Sequence, residues 1–269
     1  MRLLPVTSLD DPRLAVYRDV RDADLRARDG LFLVEGRLNV KRLIGDPGHR
    51  TRSVFLSETA LAAMRGSLTP LDAATPVYVA SRALLCDVVG FAMHRGCLAL
   101  GERPPEPELD ALLTPTGPRT WIALEAVTNA ENVGAIFRNA LAFGAAGVVL
   151  TRGCVDPLYR RAIRVSMGAT LRLPFARIDD AAAARSALAA AGFTQVALTP
   201  AADAAPLSTL APGRLAVWLG GEGSGLSAAT AAGADRRIRI PMSPGVDSLN
   251  VATAAAIALH HVHASRAAL

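Results

Sequence analysis

Three observations predict a two-part α/β protein. Short apolar runs alternate with stretches of helical, 3.6-residue periodicity along most of the chain. A segment rich in proline and acids, "GERPPEPELDALLTPTGP" (101–118), interrupts the alternation. The runs after it are apolar almost without break, as suits strands buried on both faces of a parallel sheet. The 269 residues are long for one compact core and comfortable for two.

In the first part, "GLFLVEG" (30–36), "SVFLSE" (53–58), "TPVYVAS" (75–81) and "GCLAL" (96–100) read as strands. "RLNVKRLIG" and "SRALLCDVVG" between them carry helical spacing. "DPRLAVYRDVRDADLRARDG" reads as a charged amphipathic helix ending at Gly30. The result is a small α/β domain with a basic entrance. The prolines that follow exclude a continuous helix or a central strand, leaving room for one short helix in "PELDALL". The organisation predicted is a domain over 1–102, a linker over 103–118 and a domain over 119–269.

In the second part the strands are "TWIALEAV" (120–127), "GVVLT" (147–151), "QVALTP" (195–200), "LAVWLGG" (215–221) and "RIRIPM" (237–242). Helices are expected over 132–143, 157–168, 179–191, 225–232 and 249–265. Asp156-Pro157 reads as an N-cap followed by a first-turn proline. Asp179-Asp180 starts an alanine-rich helix that Gly192 ends. Such sheets hold ligands at the carboxyl ends of their strands, so the loops there are where a site is expected.

Composition narrows the function classes. At 51% hydrophobic and 20% charged the chain is globular rather than disordered. No apolar run reaches the ~20 residues of a membrane span, and the opening stretch is too weakly apolar for a signal peptide. A cytoplasmic protein without a membrane partner is expected. Cys86, Cys97 and Cys154 show no metal-ligand spacing and fit a reducing compartment. His260, His261 and His263 lack a neighbouring acid or cysteine and read as a helix-end surface cluster, so no metal is expected. The net charge of +5 is carried almost entirely by arginine, Lys41 being the only lysine. Guanidinium forks suit phosphates, which points to nucleic acid. Compositional bias in an alanine-rich chain explains the same count.

Three strand-to-helix loops carry the chemistry. In "EAVTNAENVGAIFRNALAFG" a strand ends at Glu125 and a helix starts near Asn132, a residue suited to cap it. Arg138 follows six residues later on a largely apolar helix. From the helix alone, a solvent-reaching arginine and a functional one are both open. In "WLGGEGSGLS" the glycines allow close backbone approach, but Gly221, Gly223 and Gly225 have the wrong spacing for a dinucleotide loop. No Walker-type "GK[ST]" exists, which argues against a nucleoside triphosphatase. Glu222 would repel a phosphate and suits a cationic or neutral ligand. The third loop, "MSPGVDSLNV" (242–251), has no acid–base residue but Asp247.

Taken together, N-x5-R, G-x-E-x-x-G-L and P-M-x5-S-L-N-V resemble motifs 1, 2 and 3 of the SpoU/TrmH branch of the SPOUT RNA methyltransferases. "RVSMGA" (164–169) is similar to that family too. The resemblance covers roughly 120–265. More loosely, "GLFLVEGRLNVKRLI" and "FAMHRGCLAL" resemble the family's N-terminal substrate-binding domain, which has a ribosomal-protein-like α/β fold.

The resemblance implies a parallel sheet with a deep trefoil knot, a feature strand reading cannot reach because threaded chains are rare. It implies S-adenosylmethionine held against loop backbone by Leu219, Gly220, Gly221, Gly223, Ile240, Met242 and Leu249. It implies transfer of that methyl to a ribose 2′-hydroxyl of structured rRNA or tRNA, with no metal needed because the methyl leaves a sulfonium. The partners implied are RNA and a second copy in a homodimer. Arg138 becomes the catalytic arginine. Because guanidinium stays protonated (pKa above ~12), a stabiliser of a phosphate or the developing oxyanion is the physical reading, alongside a role as base. Asn132, Glu222, Ser248 and Asn250 match polar positions of the motifs and are expected to fix Arg138, the ribose and the loops. Two positions depart from the family. Gly245 stands third rather than second after Met242, and Ala252 replaces a common serine. A methyltransferase acting on another RNA atom and an inactive RNA-binding homologue are the alternatives. A dinucleotide-binding enzyme is disfavoured by the glycine spacing.

Overall fold

A computed structural model describes residues 1–18, 22–26, 30–90, 93, 96–113 and 119–267. The chain divides into two compact units, Met1–Pro105 with Leu158–Arg172, and Glu106–Pro157 with Leu173–Leu269.

The first unit holds a five-stranded sheet of β1 (Arg2–Pro5), β2 (Leu31–Glu35), β3 (Arg50–Ser57), β4 (Pro76–Ala80) and β5 (Cys97–Glu102). Their order is β1-β4-β3-β5-β2. The pairs β1–β4 and β3–β4 are parallel, and the pairs made by β5 are antiparallel. Strand β1 escapes sequence reading because it is short and largely exposed, so it shows neither a buried apolar run nor a period-2 alternation. Helices α1 (Asp22–Asp24), α2 (Arg37–Ile44), α3 (Glu58–Met64) and α4 (Arg82–Val89) complete the layer. Serine caps start two of them: Ser57 Oγ accepts from Ala60 N and Ser81 Oγ from Leu84 N, both at 3.2 Å. Gly90, with φ of 74°, ends α4.

The long amphipathic helix expected up to Gly30 is not formed among the described residues. A 3₁₀ helix, Pro12–Tyr17, is followed by the single turn of α1, and residues 19–21 and 27–29 lie outside the described set. The i, i+3 spacing of Leu14 and Tyr17 buries both from a 3₁₀ turn. Tyr17 packs on Phe55, its hydroxyl is 2.7 Å from Ser53 Oγ, and burial pushes its pKa up.

The second unit opens with α5 (Leu109–Leu112), the short helix expected in the linker. Then follow β6 (Thr120–Glu125), α6 (Ala130–Ala142), β7 (Gly147–Leu150), β8 (Phe175–Arg177), α8 (Ala181–Ala190), β9 (Thr194–Leu198), β10 (Ala205–Pro206), β11 (Leu215–Gly220), α9 (Ala228–Ala232), β12 (Arg236–Arg239) and α10 (Val251–Ala267). All seven strands pair in parallel, in the order β10-β12-β9-β11-β6-β7-β8. Central β6 and β11 are buried on both faces, and their Trp121 and Trp218 are almost fully enclosed. The Trp218 indole donates to Gln195 Oε1 at 2.8 Å, so its N–H is satisfied inside the core. Strands β8 and β10, of three and two residues, were not foreseen.

Asp180 caps α8, accepting from Ala182 N at 2.8 Å. Gly192, with φ of 79°, and Phe193 close its far end by bonds to Ala189 O and Leu188 O, the Schellman pattern. The cap expected at Asp156 is not made: α7 (Arg160–Val165) starts later, after Tyr159. Asp156 is instead buried, its carboxylate 3.7 Å from Arg177 Nη2. A buried charge needs that partner more than a helix needs that cap. By its contacts α7 belongs to the first unit, where Glu35 faces Arg160 and Arg164 at 4.0 and 3.8 Å.

The histidines near the C-terminus are spent on packing. His260 and His263 contact the Phe143 ring, and His261 Nε2 is 3.0 Å from Leu210 O.

Strand order decides where a ligand can sit. From β6 the chain moves outward through β7 to β8, then returns to the opposite side of β6 at β9. A crevice opens at the carboxyl ends where order reverses. The loops after β6, β9, β11 and β12 share that edge.

Candidate active site

The loop after β6 runs into α6. Asn129 has the extended backbone of an N-cap (φ −86°, ψ 118°), and its side chain accepts from Glu131 N at 2.8 Å. The cap expected at Asn132 is therefore made three residues earlier. Asn132 lies within the first turn and is only 9% exposed, so its amide must find partners inside the protein.

Those partners come from the other two loops. Asn132 Nδ2 donates to Glu222 Oε1, and Asn132 Oδ1 accepts from Asn250 Nδ2 at 2.9 Å. Asn250 caps α10, its Oδ1 accepting from Ala252 N at 2.9 Å and Thr253 N at 3.2 Å. This fixes the direction of every bond. The amides of α10 demand an oxygen, so Asn250 presents its NH₂ to Asn132. Asn132 then presents its own NH₂ outward, and only an acceptor such as a carboxylate fits there. One chain of hydrogen bonds thus joins the three loops.

Beside it lies a cavity of about 570 Å³, within the range of roughly 300–1,000 Å³ for small-molecule sites. Its walls include Leu219, Ile240, Met242 and Leu249, and its rim is the backbone of Gly220 to Gly225. Glu222, Ser248 and Asn250 also line it. Ser248 makes no hydrogen bond with another described residue. Gly245 takes a φ of 82° in the loop after β12, closed by Val246 N to Ser243 O at 3.4 Å. Ala252, in place of serine, serves through its backbone: its N–H donates to Asn250 Oδ1 at 2.9 Å and its carbonyl accepts from Asn139 Nδ2 at 3.1 Å.

Glycine is required at two points. A Cβ on Gly220 would fall 1.9 Å from Gly225 C, and one on Gly221 would fall 2.0 Å from Ala126 O. Backbone, not a flexible side chain, stands in the way. Gly221→Ala is expected to lower stability by ~1–3 kcal/mol through overpacking, read from urea unfolding midpoints.

Arg138 stands apart. It is exposed on α6, does not line the cavity, and makes no hydrogen bond or ion pair with a described residue. The expectation that the polar set fixes Arg138 does not hold in the single chain. Six residues on a helix turn the side chain about 240° from Asn132, to another face. The guanidinium is left with its donors free.

Sequence reading missed Leu198, the last residue of β9, and Thr199 and Pro200 after it, which also line the cavity. The signal was present: "QVALTP" ends a buried strand at the edge where ligands sit.

Comparison with known proteins bears on the same residues. Residues 119–260 match the SpoU rRNA methylase family. The chain is 41% identical over 259 residues to an uncharacterized tRNA/rRNA methyltransferase of Mycobacterium bovis, covering 93% of this chain and 88% of that one. It is 32% identical over 189 residues to the 23S rRNA (guanosine-2'-O-)-methyltransferase RlmB of Acinetobacter baylyi, covering 68% of this chain and 76% of that one. It shares a fold with the AdoMet-bound rRNA methyltransferase from Sinorhizobium meliloti, at a TM-score of 0.84 over 99% of each chain and 24% identity. The chain belongs to the SpoU rRNA methylase family of RNA methyltransferases.

Proposed function

We propose that the chain is an S-adenosylmethionine-dependent ribose 2′-O-methyltransferase acting on structured rRNA or tRNA. The observation that carries this reading is the bond chain from Glu222 through Asn132 to Asn250, which joins the three motif loops beside one cavity. The family membership supports it, as do RlmB's named reaction and the AdoMet bound by the S. meliloti protein.

The residues present fit the cofactor. Leu219, Ile240, Met242 and Leu249 offer apolar walls for a flat heterocycle, and the side-chain-free backbone of Gly220, Gly221 and Gly223 can approach a ribose closely. Glu222 is the one acid on that loop, which suits a cation and would repel a phosphate. When bound, the cofactor supplies a methyl group on a sulfonium. The chain's own work is positioning and electrostatics. Arg138 holds an RNA phosphate or the charge growing on the 2′-oxygen. Asn132, Glu222, Ser248 and Asn250 hold the loops and the ribose.

In this reading the segment after β11 forms the trefoil knot, and residues 119–269 form the methyltransferase domain behind a linker over 103–118. Residues 1–102 bind RNA. Arg160 and Arg164 of α7, which folds with that unit and faces Glu35, support that role, since shape and phosphate contacts dominate recognition of folded RNA. Exposed Val246, Leu249 and Ile257 support a homodimer through the last loop and α10. No helix among the described residues is long and apolar enough to cross a membrane.

Titration calorimetry with S-adenosylmethionine and NAD in parallel tests the cofactor. Binding of the first and not the second is expected. Binding of NAD alone would overturn the reading.

A further inference from the structure

We propose that Glu125, at the carboxyl end of β6, is a positioning residue that clamps the glycine loop around the cofactor cavity. The proposal rests on the cofactor reading above, and names a residue outside the three motifs.

The loop after β11 is hard to hold in one shape. Between Gly220 and Gly225 only Glu222 and Ser224 carry side chains, and glycine has the most backbone freedom to lose on ordering. Gly223 and Gly225 take φ of 87° and 64°, and the turn closes on itself by Gly225 N to Gly221 O at 3.0 Å. Glu222 to Gly225 are exposed. A site built from such a segment needs anchors if it is to be formed before the ligand arrives.

Three anchors exist, and two are adjacent residues at the end of β6, Glu125 its last residue and Ala126 the next. Gly221 packs so closely on the Ala126 carbonyl that a Cβ would overlap it. Ala126 itself is held at φ of 54°, a left-handed conformation that alanine rarely adopts. Glu222 is tied to Asn132 in the middle of the loop. Glu125 takes the far end. One carboxylate oxygen accepts from Ser227 N at 3.0 Å, and the other from Ser227 Oγ at 2.8 Å and Thr230 Oγ1 at 3.1 Å. Ser227 is the N-cap of α9, its Oγ accepting from Thr230 N at 3.1 Å. Glu125 therefore fixes the point where the loop becomes helix, and with Ala126 beside it the carboxyl end of β6 grips the loop at both ends.

The clamp depends on hydrogen bonds, so glutamine can replace it. Its amide oxygen can take the Ser227 N–H while its NH₂ turns to the two hydroxyls, which accept as readily as they donate. Alanine leaves all three donors without that partner.

The test is steady-state methylation of bulk RNA by the full chain, with wild type, Glu125→Ala, Glu125→Gln and Ser227→Ala, alongside cofactor calorimetry and thermal melts. Wild-type binding of S-adenosylmethionine is measured first; its absence would sink the cofactor reading, not the clamp alone. Given that binding, Glu125→Ala is expected to raise the KM and Kd for the cofactor about 10-fold. Its kcat at saturating cofactor and its KM for RNA should stay within about 2-fold of wild type, and Glu125→Gln within about 3-fold on every constant. Ser227→Ala, which keeps the carboxylate, should reproduce the cofactor effect if Glu125→Ala does not fold. A cofactor KM unchanged in a folded Glu125→Ala or Ser227→Ala protein overturns the proposal. So does a loss confined to kcat, or one that glutamine fails to restore.

Discussion

Arg138→Ala is expected to slow methyl transfer by ~10²–10³-fold, the usual loss when one donor aimed at developing charge is removed. Cofactor affinity should be unchanged, because Arg138 does not line the cavity. Stability should also be unchanged, within about 0.5 kcal/mol, because the side chain is exposed and makes no bond that folding relies on. Few substitutions separate function from folding so cleanly. Arg138→Lys should recover part of the rate: it keeps the charge and loses the two-pronged geometry. Single-turnover rates at saturating cofactor, with titration calorimetry and thermal melts on the same samples, check all four points. A variant that binds cofactor poorly yet transfers at the normal rate would move Arg138 from the chemistry to the cofactor.

Asn132→Ala is expected to lower activity by roughly 100-fold, the scale of a small misplacement of reacting groups. Its two side-chain hydrogen bonds link the loop after β11 to the loop after β12. Their net worth in stability is only about 0.5–1.5 kcal/mol each, so activity should fall much further than the melting temperature. Asn132→Asp should be worse than alanine. It would keep an acceptor for Asn250 while setting a second carboxylate against Glu222, a like-charge contact with no donor between. Asn129→Ala is the control. It removes the actual cap of α6, so about 1 kcal/mol of stability should go while the three-loop junction survives. If Asn129→Ala and Asn132→Ala lost activity and stability in the same proportion, Asn132 would have only a structural role.

Asn129 and Asn132 also mark the limit of what the sequence reveals. Both suit a cap, and the apolar phase of α6 is the same whichever residue starts it. The backbone decides, through the turn at Ala126 to Asn129 that the sheet edge imposes. The seven-strand parallel sheet was legible in its long members because unbroken apolar runs such as "LAVWLGG" have no other good home. Strands β8 and β10, of three and two residues, carry no period to read, and β1, unlike the buried four-residue β7, is largely exposed. The three loops were legible only jointly. Asn132 lies 90 residues from Glu222 and 118 from Asn250, and no local pattern pairs residues at that distance. The resemblance of the ordered set to the family's three motifs did so. Glu125 was visible only as the end of a strand. A carboxylate closing an otherwise apolar run at the ligand edge was the sign that it had work there.

The loop "MSPGVDSLNV" contributes no general acid or base to this account. Asn250 turns it into α10 and ties it to Asn132, and Met242, Ser248 and Leu249 face the cavity.

The reaction proposed for this chain is methylation of a ribose 2′-oxygen. Its most direct test is to incubate the purified chain with methyl-labelled S-adenosylmethionine and bulk rRNA and tRNA, digest the RNA to nucleosides, and locate the label. Label is expected in 2′-O-methylnucleosides and lost with Arg138→Ala. Label in base-methylated nucleosides, or none from a chain that binds the cofactor, would contradict it.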